Sequence, residues 1–149
     1  MNLPFLRRSP SLGRPPLHRL VAAPGAPAAE AALRHLLAEL PELLMAAVVA
    51  PASGQVLASY TSHEHLTPGS VAPFWAAAVR QVQAHQAAQA APAEQPAEIL
   101  TTLPTQLHLL RVQPGGQHVL GLVVDAHDTN LALARELVRQ AVNELTTSE

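Results

Sequence analysis

The chain contains no cysteine, so disulfides, thiol nucleophiles, iron–sulfur clusters and thiolate zinc sites are excluded. All 9 of its basic Lys/Arg residues are arginine. The phosphate-loop lysine, the Schiff-base amine and the cofactor-anchoring lysine are therefore missing too. Aromatic residues are scarce: Phe5, Tyr60, Phe74 and Trp75 are the whole set among 149 residues, too few for base-stacking platforms. The longest uncharged run, residues 43–62, is broken by Pro51, Ser53, Gly54 and Gln55, so no transmembrane helix is expected. Ser, His and Asp are present, but no Gly-x-Ser-x-Gly elbow accompanies them. These absences point away from an enzyme and toward a protein that binds.

What is present is a chain of the right length for one domain with a sizeable core. Its net charge of −2 hides two regions. Arg7, Arg8, Arg14 and Arg19 fall in the first twenty residues with no acid among them. The remainder carries five Arg against all 11 acids, a formal −6. Residues 1–27, basic and proline-rich, read as a disordered tail preceding a domain at 28–146, with 147–149 a disordered end. Such a tail offers contact with an anionic membrane or an acidic partner, although a solvated leader is the simpler reading. Arg7 and Arg8 interrupt MNLPFL too early for a secretory signal, so the cytoplasm is the expected compartment. The acidic domain disfavours nucleic acid, because it repels phosphates.

The hydrophobic pattern sets the order of elements. Leu33, Leu36, Leu37 and Leu40 share one face of a helix over 28–40, and Pro41 stops it. LLMAAVVA at 43–50 and QVLASY at 55–60 form a hairpin, with Gly54 free to take the positive φ of the turn. A second helix spans 70–89, with Ser70 as N-cap. An Ala/Gln/Pro-rich connector at 90–97 follows, and then three strands: EILTTL, QLHLLRV and HVLGLVVDA. Asp128 is the expected N-cap of a last helix ending near Leu145. On that helix Leu131, Ala134, Val138, Ala141 and Leu145 make the docking face. The order is α-β-β-α-β-β-β-α. It predicts an α+β fold with a five-stranded antiparallel sheet flanked by helices on both faces. The unalternating apolar strands belong at the centre, and QVLASY and EILTTL at the edges.

Two blocks give this order a family likeness. LLAELPELLMAAVVAPASGQVLAS (36–59) resembles the first helix, proline-marked break and glycine-turned hairpin of the Roadblock family, which includes dynein light chains and bacterial gliding-motility GTPase regulators. EILTTLPTQLHLLRVQPGGQHVLGLVVDAHDTNLALARELVRQAVNEL (98–145) resembles that family's three-strand meander and closing helix. Ser53-Gly54 stands where Asp-Gly is more usual, and Glu42 follows Pro41 where Gly is common. The resemblance implies a Roadblock/profilin-like fold and a homodimer formed through the middle helix and the neighbouring edge strand. It further implies a platform for a Ras-like small GTPase, acting without catalytic residues, metal or cofactor of its own.

Winding the middle helix at 100° per residue assigns residues to these roles. Val71, Phe74, Trp75, Ala78, Val82 and His85 are expected on the sheet. Ala77, Gln81, Ala84 and Ala88 form a small, uncharged flank for the dimer, joined by Ile99, Thr101 and Leu103 of the edge strand. Ala76, Arg80, Gln83 and Ala87 lie opposite as the GTPase platform, with Arg80 the best placed arginine for phosphoryl-transfer charge. A small-molecule or metal-sensing module drawing on His63, His65 and the Trp75 side of the sheet is the alternative. His63-Glu64-His65 supplies few ligands for that role, and a solvated loop is the simpler reading. Asp125, His127 and Asp128 read as capping and strand-end charges. His108 and His118 are expected to face each other across their hairpin.

Overall fold

The computed structural model describes residues 19–89 and 98–147. The expected connector at 90–97, the tail up to residue 18 and the last two residues lie outside the described residues. The elements are β1 (Arg19–Ala22), α1 (Pro27–Glu39), β2 (Met45–Ala50), β3 (Gln55–Thr61), α2 (Pro68–Ala88), β4 (Glu98–Thr102), β5 (Gln106–Val112), β6 (Val119–Asp125) and α3 (Leu131–Thr147). The strands form one sheet in the order β1-β3-β2-β6-β5-β4, and every neighbouring pair is antiparallel.

The sheet has six strands rather than five. The added strand is β1, which lies in a segment expected to be disordered, and it pairs Arg19–Ala22 with Thr61 to Ala58 of β3. That pairing corrects a second expectation. β3 is no edge, because β1 covers its outer side. A four-residue strand is too short to announce itself by alternation beside so many prolines. β2 and β6 occupy the centre as expected, and their unbroken apolar runs are buried on both faces.

α1 and α3 pack together on one face of the sheet and α2 on the other. In α1, Ala29, Ala32, Leu33 and Leu36 are buried. Pro41 ends the helix after Leu40, whose N–H still reaches Leu36 O at 2.8 Å. Leu33, Leu36, Leu40 and Leu43 are at most 1% exposed, and each such side chain contributes roughly 1.5–3 kcal/mol relative to exposure. Gly54 takes φ 77° and donates to Ala50 O at 2.8 Å, closing the β2–β3 turn.

The cap of α3 lies two residues later than expected. Asn130 Oδ1, not the Asp128 carboxylate, accepts the Leu133 N–H at 3.1 Å. Asp125 instead holds the turn before it, accepting the N–H groups of His127 at 2.8 Å and Asp128 at 3.0 Å. Those two bonds hold the Asp125 carboxyl below its ordinary pKa. Ala134, Val138, Ala141 and Leu145 are buried as the helical stripe predicts.

Candidate functional site

The face on which α2 lies differs in chemistry from the opposite one. α1 and α3 carry ion pairs on their outer surfaces, Arg34–Glu30 at 2.6 Å and Arg139–Glu136 at 2.6 Å, and Arg135 of α3 reaches Glu98 of β4 at 2.9 Å. Arg139 and Gln140 hydrogen-bond the Glu136 carboxylate and pull its pKa down to about 2. α2 is 21 residues long and has a single arginine and no acid. From Ala77 onward its exposed side carries Gln81, Ala84, Ala87 and Ala88 beside Arg80 and His85.

Thr67, in an extended conformation, precedes α2, and Pro68 occupies the first turn. The helix thus begins before Ser70, the expected cap, whose Oγ donates to Thr67 O at 2.9 Å. The buried stripe is Val71, Ala72, Trp75, Ala76 and Val79. Three assignments change, and one of them is His85, expected on the sheet but exposed near the end of the helix. Ala76, expected on the platform, is 1% exposed and packs on the sheet, while Phe74, expected in the core, is 46% exposed. The reason is steric: alanines let the helix lie close to the strands, and the one large side chain beneath it is Trp75. Gly121 on β6 makes room for that indole, since a Cβ there would stand 2.5 Å from Trp75 Cζ3.

The expected dimer flank remains outside. Ala77, Gln81, Ala84 and Ala88 are exposed, and Ala77, Arg80, Gln81 and Ala84 line an open hollow of about 270 Å³. Among the described residues β4 ends the sheet, paired with β5. On it Ile99 is half-buried against the α2-side core, Thr101 is half-buried, and Leu103 just beyond is 40% exposed. Of the expected platform, Arg80 and Ala87 are exposed and Gln83 is half-buried. Arg80 Nη1 donates to the carbonyl of Pro51 at 2.7 Å, tying the helix to the β2–β3 turn. That contact crosses 29 residues of chain and has no local sequence signal.

His108 and His118 do not face each other. His118 Nδ1 lies 2.9 Å from Gln113 Oε1. His108 sits opposite Val123 in β6 and accepts the Trp75 Nε1–H at 3.0 Å. Burial pushes the His108 imidazole below its ordinary pKa. His63 Nδ1 accepts the His65 N–H at 3.3 Å, and His65 Nε2 lies 3.6 Å from Glu64 Oε1. Both rings are exposed. Among the described residues no three His, Asp or Glu side chains gather as metal ligands. A cavity of about 340 Å³, lined by residues including Ala26, Pro27, Val48, Leu57, His118 and Leu145, lies on the α1/α3 side, away from Trp75 and His63.

A six-stranded antiparallel sheet with one helix on one face and two on the other, entered by a helix–hairpin pair and closed by a meander and helix, is the Roadblock fold. Solved structures carry the comparison. MglB of Myxococcus xanthus superposes with a TM-score of 0.72 at 17% identity, covering 85% of this chain and 91% of that one. The gliding protein MglB of Thermus thermophilus gives 0.65 at 19% identity, covering 89% and 95%. A Roadblock/LC7 domain of Streptomyces avermitilis gives 0.59 at 14% identity, covering 77% and 92%. No protein-family model matches the sequence, and no curated protein matches it. At these identities the likeness is one of fold. Among the described residues no helix is long and apolar enough to cross a membrane.

Proposed function

We propose that the protein is a homodimeric Roadblock-type regulator or scaffold of a Ras-like small GTPase, working in the cytoplasm through protein contacts without catalytic residues of its own. The observation that carries this reading is the contrast between the two faces of the sheet. Ion pairs solvate α1 and α3, whereas α2 offers Ala77, Gln81, Ala84 and Ala88 beside a β4 edge that, among the described residues, has no strand on its outer side. An edge strand left bare is a template for pairing, and a two-fold axis satisfies it with a second copy. Phe74, exposed on α2 over β5, adds apolar area to that surface.

Arg80, Gln83 and Ala87 then form the surface offered to the GTPase. The Arg80 guanidinium is engaged with the Pro51 carbonyl, which favours a positional role over donation of an arginine finger. The fold shared with MglB proteins, one of them solved in a tetrameric arrangement, supports self-association.

Light scattering behind size exclusion tests the first half. The wild-type chain is expected at twice its monomer mass, and Ala84→Glu, which sets a charge in the small-residue flank, is expected to shift it to monomer. A wild-type monomer at micromolar concentration defeats the dimer. The second half is tested by offering the immobilised protein the Ras-like GTPases of its own genome, loaded with a non-hydrolysable GTP analogue. Retention lost in Arg80→Ala supports the platform, and no retention of any of them overturns it.

A further inference from the structure

Trp75 and His108 join α2 to the sheet by one buried hydrogen bond. Trp75 is 0% and His108 5% exposed, and the indole Nε1 donates to His108 Nδ1 at 3.0 Å. An indole nitrogen only donates, so Nδ1 is the bare nitrogen and the imidazole proton sits on Nε2, which faces Gln106 Oε1 at 3.4 Å. Phe74, the preceding residue on α2, meets the same imidazole edge-on at 5.8 Å. One imidazole on β5 therefore orients both the buried and the exposed aromatic of the helix.

A second proton on Nδ1 would set two N–H donors against each other inside the protein and bury a charge. Among the described residues, the elements packed on His108 place no charged partner opposite it in the sheet or against its ring. α2 presents Phe74 and Trp75, β4 presents Thr101, and β6 presents Val123. Glu98 and Arg111 belong to the opposite face by strand alternation. Asp125, on the same face opposite Gln106, turns its Oδ1 to the N–H groups of His127 and Asp128.

We propose that His108 is a proton-operated latch for α2: taking up a second proton releases the Trp75 indole and loosens the stretch of helix that carries Phe74 beside the β4 edge. The indole N–H needs Nδ1 bare, and burial lowers the imidazole pKa, so the latch is closed at neutral pH and opens on acidification. Its effect on self-association rests on the dimer surface proposed above. The latch itself rests on the hydrogen bond alone.

Trp75 is the only tryptophan in the chain, so a nitrogen–proton correlation spectrum contains a single indole signal. Titrated from about pH 8 to about pH 5, that signal is expected to shift or broaden with a midpoint below 6.5. His108→Gln retains an acceptor and is expected to keep the indole bonded while abolishing the titration. An immobile indole signal in the wild type, or the same titration in the variant, overturns the latch. Independently of any variant, the imidazole nitrogen shifts of wild-type His108 at neutral pH are expected to show the Nε2–H tautomer. The Nδ1–H tautomer overturns the latch as well. Sedimentation across the same pH range is expected to show weaker self-association as the indole moves. A titrating indole with unchanged dimer affinity refutes the coupling to the Phe74 surface. A monomer at every pH with a titrating indole sinks the dimer and leaves the latch.

Discussion

Gly121 and Trp75 fit one another: a side chain at 121 would begin 2.5 Å from Trp75 Cζ3 and 2.7 Å from Leu110 Cδ2. The central strand gives up a side chain so that the one bulky residue under α2 can reach the sheet. Gly121→Ala is therefore expected to destabilise the fold by about 1–3 kcal/mol, the cost of overpacking a close-packed interior. Urea unfolding followed by Trp75 fluorescence measures it, and an unchanged midpoint would contradict the fit.

The start of α3 gives a smaller, cleaner number. Asn130 Oδ1 accepts the Leu133 N–H at 3.1 Å, and Asn130→Ala is expected to cost about 1 kcal/mol. Asp128→Ala, at the position that composition alone favours as cap, is expected to cost less than Asn130→Ala. Equal losses in thermal melts would put the cap back at Asp128.

Phe74 separates stability from association. Because it is 46% exposed, Phe74→Ser is expected to change the stability of the dissociated chain by less than about 1 kcal/mol. In the proposed dimer the same side chain is an anchor, so its loss is expected to weaken self-association about tenfold or more, equivalent to about 1.4 kcal/mol. Sedimentation equilibrium on wild type and variant decides between a surface phenylalanine and an interface one.

Acid is expected to act in two windows. Folding lowers the pKa of His108 from its ordinary value of 6.5, so as pH falls the unfolded chain binds its proton first. Stability is full above that value and falls as pH drops below it. Asp125 and Glu136 have carboxyls held below their ordinary values, Glu136 at about 2. Their contribution is present above the ordinary carboxylate range and is lost at lower pH, as each group is protonated in the fold. Melting temperatures recorded against pH in wild type and His108→Gln check this: the variant is expected to lose the upper window and keep the lower one.

Apart from β1, the element order and the central strands were legible from local patterns. Runs such as MAAVV and VLGLVV are buried on both faces, and Pro41 and Gly54 act within a residue or two of themselves, so a linear reading finds them. The faces of α1 and α3 were legible for a similar reason, because leucine stripes there alternate with charged residues. α2 offered no such contrast. In an alanine-rich helix with one arginine, periodicity cannot tell which alanine is pressed on the sheet, and Ala76 and Phe74 exchanged places accordingly.

The sequence alone determined an antiparallel sheet between helices, a chain without thiol or lysine chemistry, and a middle helix poor in charge. Each follows from composition or from spacing along one element. Only the tertiary structure decided that β1 covers β3, that Arg80 reaches Pro51 and that Trp75 bonds His108. Those contacts join residues 29 to 33 positions apart or more, where partners are chosen by the packing of separate elements and no local preference encodes the choice.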